Sequence, residues 1–130
     1  MPHGSVCLDT NAAIDILNGR PSVVRLVENS LHVLLPVTVV GELRYGAYRS
    51  MKISENLAKI DSLELRCTVV PVNSDIADRY GQLRTVLHDR GVPLPENDIW
   101  IAACALCNHS PLISNDIHFN NIPALRIIRF

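Results

Sequence analysis

Ser5-Val6-Cys7-Leu8-Asp9-Thr10-Asn11 is the stretch on which the reading of the fold turns. Val6, Cys7 and Leu8 make a short apolar run that reads as a buried strand, and Asp9 stops it. From Asn11 to Leu17 the apolar residues Ala13, Ile14 and Leu17 fall at helical spacing, and Asn18-Gly19 closes the turn. The rest of the chain repeats this alternation. Pro21-Ser22 opens a helix to about Asn29, Val33-Leu34-Leu35 is a second strand ended by Pro36, and Thr38 is a favourable N-cap for a helix to about Ser50. Another helix begins at Ser54, with Leu57, Ile60 and Leu63 on one side. Cys67-Thr68-Val69-Val70 is a third strand, followed by a helix from Ser74 to about His88 with Ile76, Tyr80, Leu83 and Leu87 on one face. Gly91 to Pro95 is a loop, Asn97 caps a helix to about Cys107, Leu112-Ile113 is a fourth strand and Arg126-Ile127-Ile128 a fifth. Strands alternating with helices predict an α/β fold with a mostly parallel five-stranded sheet flanked by helices on both sides.

The 130 residues suffice for one domain, expected over 1–130, and leave little room for a second. With 48% hydrophobic and 19% charged residues the chain has the balance of a globule rather than of a disordered segment. No apolar run is long enough to span a bilayer. The opening Met1-Pro2-His3-Gly4 has no basic segment followed by an apolar one, so no secretory leader is expected. A formal charge of -1 excludes a generally basic nucleic-acid binder, although ten of the twelve bases are arginine. Of Cys7, Cys67, Cys104 and Cys107 only the last two are paired as CxxC, in an alanine-rich apolar run. Core thiols are expected rather than zinc or redox work, and free thiols fit the cytoplasm.

In a parallel α/β sheet, functional groups gather beyond the carboxyl ends of the strands. Asp9 follows strand one, Asp116 follows strand four in Ser114-Asn115-Asp116, and Glu42 and Asp98 fall in the first turns of two helices. Each has an ordinary explanation as a cap, a helix-dipole partner or a turn residue. Together they make an oxygen-rich set of the kind that holds Mg²⁺ or Mn²⁺. On the helix after strand two, Val40, Leu43 and Ala47 form an apolar stripe, while Thr38, Glu42, Tyr45 and Arg49 align on another.

Four segments carry a resemblance. Cys7-Leu8-Asp9-Thr10-Asn11, Val39-Val40-Gly41-Glu42-Leu43-Arg44-Tyr45-Gly46, Pro95 to Ala103 and Leu112 to Phe119 resemble, in order and over nearly the whole chain, the PIN-domain ribonucleases, specifically the VapC-like toxins of toxin–antitoxin pairs. Ile122-Pro123-Ala124-Leu125 fits as well. The resemblance implies a metal-dependent endoribonuclease that hydrolyses RNA phosphodiester bonds and leaves a 5′-phosphate and a 3′-hydroxyl. Asp9 and Asp98 would hold Mg²⁺ or Mn²⁺ directly, with Glu42 and Asp116 acting directly or through water. Thr10, Asn11 and Ser114 would steady the cluster. It also implies a homodimer and neutralisation by a cognate VapB-like antitoxin.

Arg44, Arg49 and Lys52, near Glu42, are the expected RNA contacts, with Arg20 an outlying candidate. Few aromatic residues are available for base stacking, so Trp100 is expected to pack and His118 to serve a turn. Tyr45, Tyr48 and Met51 suit either an interface or the core. A HAD-like phosphatase would need Asp where Asn11 stands, and a receiver-like domain would need a lysine late in the sheet, whereas Lys52 and Lys59 are the only two. A catalytically silent α/β binding module and a PIN-type nuclease acting on DNA stay open as alternatives.

Overall fold

A computed structural model describes residues 3–130; Met1 and Pro2, part of the opening read above for a leader, lie outside the described residues. The elements run β1 (His3–Leu8), α1 (Thr10–Leu17), α2 (Pro21–Glu28), β2 (Ser30–Pro36), α3 (Val37–Tyr48), α4 (Ile53–Arg66), β3 (Thr68–Val70), α5 (Ser74–Asp89), α6 (Glu96–Cys107), β4 (Leu112–Ile113) and β5 (Ile127–Ile128). A 3₁₀ turn over Ile117–Asn121, which no sequence periodicity announced, precedes β5.

All pairings are parallel and the strand order is β3-β2-β1-β4-β5. The expected five-stranded α/β sheet is therefore present. Connections between parallel strands are right-handed, so α1 to α4, which carry the chain outward from β1 through β2 to β3, lie on one face. The return from β3 to β4 runs the other way and puts α5 and α6 on the opposite face. The order reverses between β1 and β4, and a crevice opens there beyond the carboxyl ends of the strands.

β1 lies mid-sheet, so both its faces are covered: Val6, Cys7 and Leu8 are wholly buried. In α6, Ile99 and the run Ile101 to Ala105 are buried, and its small residues let the helix lie close on the strands. Cys7 and Cys104 meet in this core, where their thiols hydrogen-bond to each other, as expected of core thiols; Cys67 and Cys107 are half-buried at its edge, and all four are free. Trp100 packs, its ring stacked on Tyr80 with centroids 3.8 Å apart. On α3 the buried side chains are Val39, Val40, Leu43 and Ala47, with Glu42, Tyr45 and Arg49 exposed, close to the two stripes read from the sequence.

Two expected caps are corrected. Pro36, not Thr38, occupies the cap position of α3, and Pro95, not Asn97, that of α6; neither makes a side-chain cap bond. A proline's extended backbone leads into the first turn without needing a donor, which makes Thr38 and Asn97 the second residues of their helices. Turns are punctuated at positive φ by Gly19 and Gly91, and also by His109 at φ 52 where α6 ends.

Candidate active site

Asp9 is built into the fold twice over. Its backbone N–H donates to the Ile113 carbonyl at 3.4 Å, which continues the β1–β4 register of Cys7 opposite Leu112 and Leu8 opposite Ile113. Its carboxylate then caps α1, accepting from the Ala12 N–H at 2.7 Å. The capping role and the site role thus belong to one side chain, which is only 3% exposed. Ser114, wholly buried beside it on β4's extension, hydrogen-bonds the Asp9 carboxylate with its hydroxyl and accepts from the Asp116 N–H at 3.0 Å. Asp116 in turn caps the 3₁₀ turn by accepting from the His118 N–H at 2.9 Å, and its carboxylate lies 2.9 Å from His118 Nδ1.

Asp98 is half-buried in the first turn of α6. Its carboxyl is raised to about 6, by burial first and then by the negative charges of Asp116, Glu42 and Asp9, against a smaller opposing effect of His118. Asp9 is likewise raised, first by burial, while its bonds to Ser114 and Ala12 hold it down. The charges of Asp9 at β1's end, Glu42 on α3 and Asp116 at β4's end therefore reach Asp98 on α6, as they can only when the fold has brought them near it. Glu42 is the exposed member.

The donor chemistry fits a hard divalent cation, which takes oxygen ligands and would relieve the mutual repulsion. Among the described residues no three His, Cys, Asp or Glu side chains are gathered tightly enough to hold a metal ion as they stand. The carboxylates thus share a field without closing a cage. A second observation also fits. Thr10 Oγ1, Thr38 Oγ1 and Asn97 Nδ2 are buried and have no hydrogen-bond partner, and each flanks one acid: Thr10 follows Asp9, Thr38 lies one turn before Glu42 and Asn97 precedes Asp98. Orphaned polar groups are rare in cores, and three around one carboxylate cluster mark a place for polar occupants. The sequence singled out Thr38 and Asn97 for capping and Thr10 for steadying the cluster. Asn11 is exposed on α1 beside Thr10.

The cations expected to grip substrate are mostly engaged elsewhere. Arg44 donates to Asp61 at 2.8 Å and to Glu64, tying α3 to α4. Lys52 pairs with Glu55 at 3.8 Å, and the Arg49 guanidinium lies 5.6 Å from the Tyr45 ring centroid. Arg20 pairs with Asp15 at 3.1 Å and lies over Phe130. Sequence reasoning passed over Arg129, whose guanidinium donates to the Ser114 carbonyl. Beside Glu42, a cleft of 230 Å³ opens between α1, α3 and α4, lined by Ile14, Leu17, Leu43 and Ile60 among others.

A family model described as the PIN domain matches residues 6–125. Ribonuclease VapC2 of Rickettsia felis is 30% identical over 123 residues, covering 91% of this chain and 92% of that protein. Ribonuclease VapC2 of Haemophilus influenzae is 33% identical over 122 residues, 92% of each. Among solved structures, VapBC2 from Rickettsia felis bound to a DNA fragment from their promoter superposes with a TM-score of 0.88 at 29% identity, covering 97% of this chain and 98% of that one.

Proposed function

The chain belongs to the PIN domain family and, within it, to the VapC ribonucleases, and from that membership we propose that it is a divalent-metal-dependent endoribonuclease acting as the toxin of a toxin–antitoxin pair. The observation that carries this reading is that the charges of Asp9, Glu42 and Asp116 reach Asp98 at the crevice where the strand order reverses.

Asp9 and Asp98 would hold Mg²⁺ or Mn²⁺ directly, with Glu42 and Asp116 assisting directly or through water. When bound, such an ion supplies Lewis acidity, which activates water toward phosphorus and offsets charge on the non-bridging oxygens. The protein's own part is positioning. Asp9 cannot swing, because Ala12 and Ser114 hold its carboxylate. The Ser114 hydroxyl accepts from the Asp116 N–H and bonds the Asp9 carboxylate, so it ties the side chain of one acid to the backbone of another. Thr10, Thr38 and Asn97 offer unspent polar groups to water or to the RNA backbone. Attack by water needs no 2′-hydroxyl; with the bridging 3′-oxygen as the leaving group, which takes up a proton, the products carry a 5′-phosphate and a 3′-hydroxyl.

Several relatives of known structure are complexes named VapBC, and an antitoxin partner for this chain follows from the same reading. Tyr45, Tyr48 and Met51, 65%, 61% and 102% exposed, are surface residues and not core, which leaves them for an interface with that partner or with a second copy. No helix among the described residues is long and apolar enough to cross a membrane, in keeping with work in the cytoplasm.

The test is incubation of the purified protein with assorted RNAs and DNAs, with and without Mg²⁺ or Mn²⁺, beside the Asp98→Asn variant. Metal-dependent RNA cleavage that the variant lacks is the expected result. Cleavage of DNA alone would overturn the substrate assignment. A melting temperature unmoved by either ion, without cleavage, would leave a silent binding module.

A further inference from the structure

We infer that Arg129 is a substrate-binding residue, a pre-oriented cation that contacts a phosphate next to the one being cleaved. The inference rests on the ribonuclease reading and adds to it a named contact.

Arg129 follows β5 directly, at the same carboxyl edge of the sheet as the acids. Its Nη1 donates to the Ser114 carbonyl at 3.3 Å and its Nη2 to Asn120 Oδ1 at 2.8 Å. Ser114 is the same residue whose hydroxyl joins Asp9 to Asp116, so guanidinium and carboxylates are fastened to one point. Both acceptors are neutral. Among the described residues no carboxylate lies within ion-pairing distance of Arg129, and its charge stays uncompensated on an exposed side chain. Two of its N–H donors are used to aim it, and the others are free for a phosphate, whose oxygens a planar guanidinium matches well.

Its surroundings are fixed. Asn115 clasps both main-chain groups of Phe130, donating to the carbonyl at 2.8 Å and accepting from the N–H at 2.9 Å, and the Ser114 N–H donates to the Ile128 carbonyl at 3.1 Å. The Arg20 guanidinium lies 5.4 Å from the Phe130 ring centroid on the same segment. A rim dense in carboxylates repels a polyanion, and a fixed cation there offsets part of that repulsion without neutralising the acids. Arg44 and Lys52 cannot do this while paired with Asp61, Glu64 and Glu55.

The experiment measures binding of a 5′-fluorescein-labelled single-stranded RNA by anisotropy in Mg²⁺, in an Asp98→Asn background that prevents cleavage. Arg129→Ala should weaken binding about tenfold and lower the salt dependence by about one counterion, while Arg129→Lys restores most of the affinity. Exposed Arg66→Ala serves as the control and should change binding less than about twofold. In the active protein, Arg129→Ala should raise KM and leave kcat within about twofold. If Arg129→Ala unfolds, Arg129→Gln, which keeps a donor for Ser114 and removes the charge, is read instead. Unchanged affinity, or a fall in kcat with KM constant, overturns the assignment; the second result would make Arg129 a brace for the carboxylates. If the parent protein neither binds nor cleaves RNA, the ribonuclease reading itself falls and takes this assignment with it.

Discussion

Replacing Asp98 by Asn should make the metal-free protein more stable at neutral pH while abolishing its activity. The Asp98 carboxyl is raised from 3.8 to about 6, by burial first and then by Asp116, Glu42 and Asp9. At about 1.4 kcal/mol per pH unit, that gap corresponds to at most about 3 kcal/mol. Solvent reaches a half-buried carboxylate and screens it, which reduces the figure to about 1.5 kcal/mol. A folded-state pKa above the unfolded one means that the native protein holds the proton more tightly. The penalty is therefore absent below about pH 4, grows as pH rises through about 6, and is complete by about pH 7. Asn keeps the shape and drops the charge, but forfeits about 0.5 kcal/mol of favourable placement at the start of α6. The net gain of about 1 kcal/mol corresponds to a rise in Tm of about 4 °C in metal-free buffer near neutrality. Scanning calorimetry of both proteins at about pH 4.5 and 7.5 checks it, and adding Mn²⁺ should raise the parent's Tm and close the difference. A variant no more stable than its parent at the higher pH, or a difference equal at both, would refute the idea that burial and the neighbouring carboxylates oppose the Asp98 charge here.

Ser114→Ala removes the hydroxyl shared by Asp9 and Asp116; it should cost about 1–2 kcal/mol in denaturant titrations and weaken Mn²⁺ binding by about tenfold in calorimetry. Arg44→Ala should lower stability by about 1 kcal/mol through the lost ties to Asp61 and Glu64, with RNA cleavage kinetics unchanged. A raised KM in that variant would return α3's arginine to the substrate path. His109 holds φ 52 where α6 ends, a conformation that glycine adopts freely, so His109→Gly should gain about 1 kcal/mol in urea unfolding without altering cleavage.

The strand-then-acid pattern was legible because it depends on neighbours in sequence: an apolar run that ends at Asp9, or at Ser114-Asn115-Asp116, reports a strand's carboxyl end directly. The caps were harder. Thr and Asn are favoured at N-caps on average, but Pro36 and Pro95 took the cap positions through backbone geometry, and the polar side chains were left inside the first turns without partners. Arg44 is two residues from Glu42, and on a helix that spacing sends side chains to nearly opposite sides, toward α4 in this case. Arg129 gave no signal, since its partners are Ser114 and Asn120, reached only after β4 and β5 pair. The 3₁₀ turn is too short to show a period.

β1 is flanked on one side by β2 and on the other by β4, so an early strand waits for a later one before its carboxyl end is complete. A chain still emerging from the ribosome holds Asp9 well before Ser114 and Asp116, because β2, β3 and all six helices come between them in sequence. Strand order thus works as a timer: a product cut short before β4 lacks part of the carboxylate cluster.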